Sequence, residues 1–397
     1  MRKALVILAA VALVVAFTVP AVALEHEFGG YWRTRAYMNK DFDGTGTEAN
    51  DVSQVDTRTR LYYTAVFSEN FKFVNKFEFN NTWGDTEGGD IGADGDVFRV
   101  KNSYVDFNLS ALNFKVGTQG TALARGFFFD DDFSGLIATY KGETFTAPFI
   151  WMKAYEGGEG KDMDDEDLDY YAIAPSFKIG GLSLNPYLIL VESSEASAAF
   201  DELSLTYIGA DLDAKLGDVS WWLTAISESG DSGSDDVSAM LFAIGASMPL
   251  GPVGLHAQVI YATGDDDPAD TDIENFFVPA GQSYYWSEIM GYGIFDYQAS
   301  AGAPADQISN LLAYNIGVSF EPMEKVTITA DLWNASLRED DAAGNDDLGT
   351  EIDLTLTYAI LDNLNLDVVA AKLWAGDATG DGSEDPTEIG MQLSFSF

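Results

Sequence analysis

The final stretch of the chain, Glu388 to Phe397, constrains the fold more than any other. Ile389, Met391, Leu393, Phe395 and Phe397 take one face, and Glu388, Gly390, Gln392, Ser394 and Ser396 take the other. Period two is the repeat of a strand with one apolar and one polar face. Far upstream the same rule holds: Phe71, Phe73, Phe77 and Phe79 share a face, and Lys72, Lys76 and Glu78 share the other. Beyond residue 23 there is no run of about eighteen apolar residues, the minimum for a membrane-spanning helix. Yet the chain is 47% hydrophobic and 13% aromatic, enough for large apolar surfaces. A chain that spans lipid without helices must close its strands into a barrel, because hydrocarbon cannot satisfy an open sheet edge.

The other end of the chain supplies an address. Residues 1–23 read as a secretory signal peptide: Arg2 and Lys3 give the positive start, Ala4 to Val19 the apolar stretch, and Ala21-Val22-Ala23 the cleavage site. An N-terminal membrane anchor is the alternative. The mature chain then starts at Leu24, and 24–397 is expected to be a single barrel domain, since barrels run long as one unit. The absence of Cys rules out disulfides, thiolate metal sites and a lipid-bearing cysteine. With 64 Asp and Glu against 21 Lys and Arg, the net charge is −43. So negative a chain is a poor partner for nucleic acid, and its acids belong in water outside a bilayer.

Turn-forming clusters divide the chain. Tight turns fall at Ser68-Glu69-Asn70, Ser110-Ala111, Gly142-Glu143, Gly180-Gly181, Gly217-Asp218, Gly251-Pro252, 321–324 and Asp362-Asn363. With both termini on one side they imply an all-β, transmembrane antiparallel β-barrel of about 18 strands. Sixteen strands is the alternative, with 112–141 the stretch where a hairpin could be miscounted. Strands are expected at 112–119 and 135–141 and at 219–227 and 236–250, among others. Short periplasmic turns alternate with long acidic external loops. In the sixteenth strand, 349–360, Ile352, Leu354, Leu356 and Tyr358 point outward and Glu351, Asp353, Thr355 and Thr357 inward. Polar inner faces at both ends of the chain predict a wet channel rather than a filled core.

A Lys or Arg facing lipid at mid-bilayer costs about 2–4 kcal/mol. Arg33, Arg35, Arg58, Arg60, Lys72 and Lys76 are therefore expected to line the lumen as one basic wall. Against it, the segment Gly120 to Gly135 carries Arg125, Phe127-Phe128-Phe129 and Asp130-Asp131-Asp132. It is expected to fold inward as a constriction; the alternative is an external loop packed on the rim. The longest loop, Gly264 to Ser309, holds Tyr284, Tyr285, Trp286, Tyr292, Phe295 and Tyr297. Such aromatics either stack on sugars or form the loop's own core, and the loop is expected to fold over or into the mouth. Asp162 to Asp169, Asp265-Asp266-Asp267, Glu339-Asp340-Asp341 and Glu384-Asp385 concentrate acid in the loops. They read as solvated loops, or as a vestibule bridged to lipopolysaccharide by divalent cations. Asp377, Asp381 and Glu384 lack the full spacing of an EF-hand loop. No cofactor and no resident metal is expected. His26 and His256 are the only histidines, so a catalytic serine would have little choice of base, and no catalytic residue is assigned.

Local motifs carry a resemblance. Arg58-Thr59-Arg60-Leu61, then Glu69-Asn70-Phe71-Lys72-Phe73 and Asn81-Thr82-Trp83-Gly84, resemble a hairpin of alginate-export-type and related porins. Phe114-Lys115-Val116-Gly117-Thr118-Gln119 with Asp132-Phe133-Ser134-Gly135-Leu136 is similar to the strand and constriction loop of many Gram-negative outer-membrane porins, although Thr118 stands where those show Arg. The closing strand, with its terminal Phe397, resembles the signal read by the barrel-assembly machinery. The resemblance implies a porin of the outer membrane that lets small hydrophilic solutes diffuse passively through a water-filled channel. Its expected partners are outer-membrane lipid, lipopolysaccharide and that machinery, with a homotrimer or a monomer both open. A substrate-specific or polysaccharide-export channel, or the barrel sheath of a porin–cytochrome conduit, is the alternative. Acidic mouths and a basic wall pull selectivity in opposite directions; the acids in the constriction tilt it weakly to cations.

Overall fold

The computed structural model describes residues 24–46, 50–86, 88–92, 97–157, 167–193 and 202–397. The signal peptide and Asp162 to Glu166 lie outside the described residues. Twenty strand segments follow in order: β1(Glu25–Lys40), β2(Val52–Ser68), β3(Phe71–Thr82), β4(Val97–Leu109), β5(Leu112–Leu123), β6(Phe129–Lys141), β7(Phe145–Tyr155), β8(Leu168–Ile173), β9(Ser176–Ile179) and β10(Leu182–Ser193). Then come β11(Leu203–Leu216), β12(Val219–Ser232), β13(Asp235–Leu250), β14(Val253–Ala262), β15(Asp272–Ile273), β16(Leu311–Met323), β17(Val326–Leu337), β18(Asp347–Leu361), β19(Leu364–Ala375) and β20(Thr387–Ser396). β8 and β9 are one stave, interrupted before Pro175, and both pair with β7 and β10. β15 is a two-residue strand in the longest loop. The result is a closed 18-strand antiparallel barrel.

Closure is made by the two terminal strands. β1 pairs with β20 from Tyr31↔Ser396 to Lys40↔Thr387. The Gly30 amide donates to the Phe397 carbonyl at 2.9 Å, and the Phe397 amide returns the bond at 3.1 Å. No sheet edge is left between the termini, which is what lipid requires.

The side-chain parity follows the sequence pattern. Ile389, Met391 and Phe397 are exposed on the outside, whereas Glu388 and Gln392 are buried within. Phe77 stacks on Phe98 at 5.4 Å, and Trp32 lies 5.7 Å from Phe395. Two boundaries differ from expectation. β12 and β13 extend to a tight external turn at 233–234, where a longer loop is expected. Most of 120–135 is strand rather than loop, belonging to β5 and β6.

The lumen is not uniformly wet. Ile189, Val191, Leu205, Leu241, Ile260 and Leu311 face inward and are fully buried. They join Phe127, Phe128, Phe276, Ile289, Met290 and Ile308 of the inserted segments in one core. The expectation of a channel without a filled core is corrected on this side: strands β10 to β17 carry apolar stretches on the inner face, between polar ones such as Asp211 and His256, and the inserted segments cover them. The polar inner face holds along β1 to β5.

Replacing Phe77, in the middle of β3, by Lys puts a charge on the lipid face and is expected to destabilise the barrel by about 2–4 kcal/mol. Lys76→Ala, one position over and facing the lumen, should cost far less. Urea unfolding of protein refolded into lipid vesicles measures both.

Candidate functional site

The inserted hairpin is built by ladders that stop at different heights. β5 pairs with β4 only as far as Thr118↔Ser103, and β6 with β7 only as far as Ser134↔Lys153. The β5–β6 ladder itself continues to Leu123↔Phe129. Residues 119–133 therefore leave the wall as a free hairpin and cross the lumen. At its tip, Ala124 and Arg125 hold positive φ of 51° and 58°. Arg125 pairs with Asp213 at 2.7 Å and lies 5.3 Å over the Trp222 ring, on the far wall. Phe128 meets Tyr207 edge-on at 4.9 Å.

The long loop comes in from the other side and locks to this tip. Phe127 stacks on Tyr284 with centroids 3.8 Å apart. The Ser283 amide donates to the Gly126 carbonyl at 3.1 Å, and the Gln282 side-chain amide to the Phe127 carbonyl at 2.8 Å. A Cβ at Gly126 would sit 2.3 Å from the Ser283 carbonyl oxygen, so only glycine permits the approach. Glu351 on β18, fully buried, accepts from the Ile289 amide at 2.7 Å, the Met290 amide at 3.0 Å and the Ser287 hydroxyl at 3.1 Å. Glu351 thereby satisfies two loop amides and a hydroxyl that would otherwise be stranded inside the barrel. Together the two segments form a plug across part of the lumen.

The predicted site residues divide between two walls. Arg33 and Arg35 on β1, Arg58 and Arg60 on β2, and Lys72 and Lys76 on β3 all lie on inward-facing positions of adjacent strands. Arg35 is held by Asp56, at 2.6 Å from its Nη2, and by Asp296 of the long loop. Arg33 reaches the same Asp296 at 3.2 Å. Arg60 pairs with Glu78 at 2.7 Å, and Arg58 donates to Asn80 at 3.0 Å. Lys76 lies over the Tyr62 ring at 5.2 Å, and Lys115 over Tyr104 at 5.8 Å. Lys72 stands across the ladder from Asp106. Arg125 is apart from all of these, turned to Asp213. Asp130 and Asp131 are exposed on the hairpin, while Asp132 ties it back to the wall through Lys101 at 2.5 Å and Asn102 at 2.7 Å.

The sequence reading missed Asp56, Asp211, Asp213, Asp296 and Glu288. Parity would have found three of them: Asp56 shares the inward face of Arg58 and Arg60, and Asp211 and Asp213 flank Leu212 and so share an inward face. Of the aromatics in the long loop, Trp286 and Phe295 are buried in its packing, while Tyr285 and Tyr297 stay half exposed. Among the external acids, Asp381 accepts from the Ser383 amide at 3.0 Å and Asp341 from the Asn345 amide at 2.9 Å, closing their own turns. His256 is paired with Asp331 at 2.7 Å.

The barrel, the inserted hairpin and the basic wall define a porin-type channel of the outer membrane. The chain belongs to the alginate export family, whose pattern matches residues 25–388. Solved structures share the fold at low identity. Pseudomonas aeruginosa OpdK with vanillate is 13% identical, with 94% of this chain and 98% of that one covered and a TM-score of 0.63. P. aeruginosa OccK2 (OpdF) in complex with glucuronate is 11% identical, with coverage of 94% and 96% and a TM-score of 0.61. For P. aeruginosa OprD the identity is 12%, the coverage 94% and 93%, and the TM-score 0.59. No curated protein sequence matches the chain.

Burial in the plug pushes the Glu288 carboxyl up to about 7, helped by the neighbouring carboxylates of Glu351, Asp331 and Asp367 and opposed by the Ile294 amide that it accepts. Its folded value lies above the ordinary 4.5. The stabilisation it gives the seated loop is therefore complete below about pH 4.5 and lost as pH rises through about 7. Hydrogen exchange of the Ile294 amide should accelerate by about tenfold between about pH 5 and about pH 6 relative to an E288Q protein, which has no proton to lose, and the gain should level off above about pH 7.

Proposed function

We propose that this porin favours small solutes bearing a carboxylate, which diffuse along the basic wall of β1 to β5 while the plug screens them by size. The carrying observation is the asymmetry of the lumen. One side is filled by apolar wall residues and inserted loops; the other keeps Arg58, Lys72, Lys76 and Lys115 on a polar face. Lys76 rests against the Tyr62 ring, and Lys115 against the Tyr104 ring with Asp106 across the ladder; neither is in an ion pair among the described residues, so their charge is available to a passing anion. Of the constriction acids expected to favour cations, Asp132 is spent on Lys101, and Asp296 of the long loop is spent on Arg33 and Arg35. The chemistry named by the comparisons agrees: vanillate and glucuronate each carry a carboxylate, and alginate carries one on every sugar unit. A cytochrome sheath would need its bore free, and here the chain's own segments occupy much of it.

In planar bilayers under a salt gradient, the reversal potential should show anion preference. Lys72→Ala with Lys76→Ala should reduce that preference and slow glucuronate relative to glucose, on the order of tenfold, since each wall charge contributes about 1 kcal/mol at contact in water. A cation-selective channel that the double substitution leaves unchanged would overturn the reading.

A further inference from the structure

The tip of the long loop, Tyr292 to Tyr297, is held at two points. The Phe295 ring stacks on Tyr37 with centroids 5.0 Å apart and is fully buried with Val369. It lies over Gly390, where a Cβ would come within 2.5 Å of the ring. One residue on, Asp296 reaches both Arg33 and Arg35. The backbone pays for this reach, with φ of 72° at Tyr292 and 37° at Asp296, a region that L residues occupy under strain.

The two arginines are unequally provided for. Arg35 binds Asp56 through Nε and Nη2 and donates to the carbonyls of Ile294 and Phe295 as well. Among the described residues Arg33 has one carboxylate, Asp296, at 3.2 Å, and its buried Nε has no hydrogen-bond partner. Beside them lies a cavity of about 230 Å³ lined by Arg33, Arg35, Gln54, Asp56, Arg58 and Asn80, on the outer half of β1 to β3. The guanidinium groups of Arg33, Arg35 and Arg58 balance the carboxylates of Asp56, of Asp85 in the same lining, and of Asp296. A further carboxylate arriving in the cavity leaves that group one negative charge in excess.

We infer that Asp296 is a resident counter-carboxylate that latches the loop, and that a solute carboxylate bound through Arg33 releases it. This rests on the carboxylate preference proposed above. Asp56 is fixed on a strand paired on both sides, directly across from Arg35, so the excess charge expels the carboxylate carried on the strained loop. The unpartnered Nε lets Arg33 grip the solute with two parallel hydrogen bonds, a geometry stronger than its single contact with Asp296. Solute arrival on the outer side thereby loosens the plug that stands in its path.

The test is single-channel recording of the full barrel with benzoate added to the outer compartment and chloride as the reference anion. Wild type should switch to a larger conductance level several-fold more often in benzoate. D296N should hold that level without benzoate and show no further response, and Asp296→Glu should restore the latch. As a control on charge, Phe295→Cys with Val369→Cys, oxidised, should remove the response while leaving the reversal potential as in wild type. A benzoate response in D296N equal to that of wild type overturns the latch, as does a wild-type channel that prefers anions but never responds. Absence of anion preference in wild type would instead overturn the carboxylate reading beneath it.

Discussion

The closed hydrogen-bond ladder is the constraint on which the rest depends. Lipid offers no partner for a free amide, so β1 must find β20, and every stave between them must keep its register. Register fixes parity, because a slip of one residue would turn Arg33, Arg58 and Lys72 into hydrocarbon. Once parity is fixed, each strand has an inner face whose chemistry the bilayer does not dictate. Function is written on that face. The alternation that makes the barrel possible also decides which charges meet a solute.

A closed barrel this wide creates a second problem, which the inserted segments solve. Backbone that enters the lumen brings amides and carbonyls that need partners away from bulk water. The hairpin 119–133 satisfies most of its own by carrying the β5–β6 ladder inward. The long loop has no ladder to carry and depends on side chains from the wall. Glu351 takes three of its donors, Arg35 two of its carbonyls, and the hairpin tip another share through Gly126 and Phe127. The acids on β18 are thus supports for the plug, although in the sequence they look like a wet pore lining.

That difference marks how far the sequence could be read. The staves were legible because period two is local: Phe71 to Phe79 and Ile389 to Phe397 state their own faces without reference to any partner. The basic wall was legible for the same reason, as parity and the cost of a charge in lipid place all six of its residues. The extent of the hairpin was harder, since Ala124 to Phe128 reverses direction in a turn of unusual backbone that Gly120 and Gly135 mask with looser signals. The partners of the long loop were out of reach. Asp296 meets Arg33 across most of the chain, and nothing in either local pattern points to the other. One signal was present and unused: Ile189 and Leu241 face inward and alternate with Leu188, Met240 and Phe242, which face lipid, and a stretch apolar on both sides must be covered from within.

The distribution of charge follows from the same division. The net charge of −43 belongs mostly to the loops, where water and salt screen it within about 8 Å. Ten of the 21 Lys and Arg lie between Arg33 and Lys115, on strands where low-dielectric walls lengthen the reach of each charge. A solute inside the barrel therefore responds to the few cations of β1 to β5 more than to the many carboxylates outside. What matters among those cations is which remain unspent. Arg35 and Arg60 are committed to Asp56 and Glu78 and act as fixed structure, whereas Lys76 and Lys115 rest against aromatic rings and Arg33 keeps an unpartnered nitrogen. The wall is graded, with firm ion pairs setting its shape and loosely held charges between them left to bind and release.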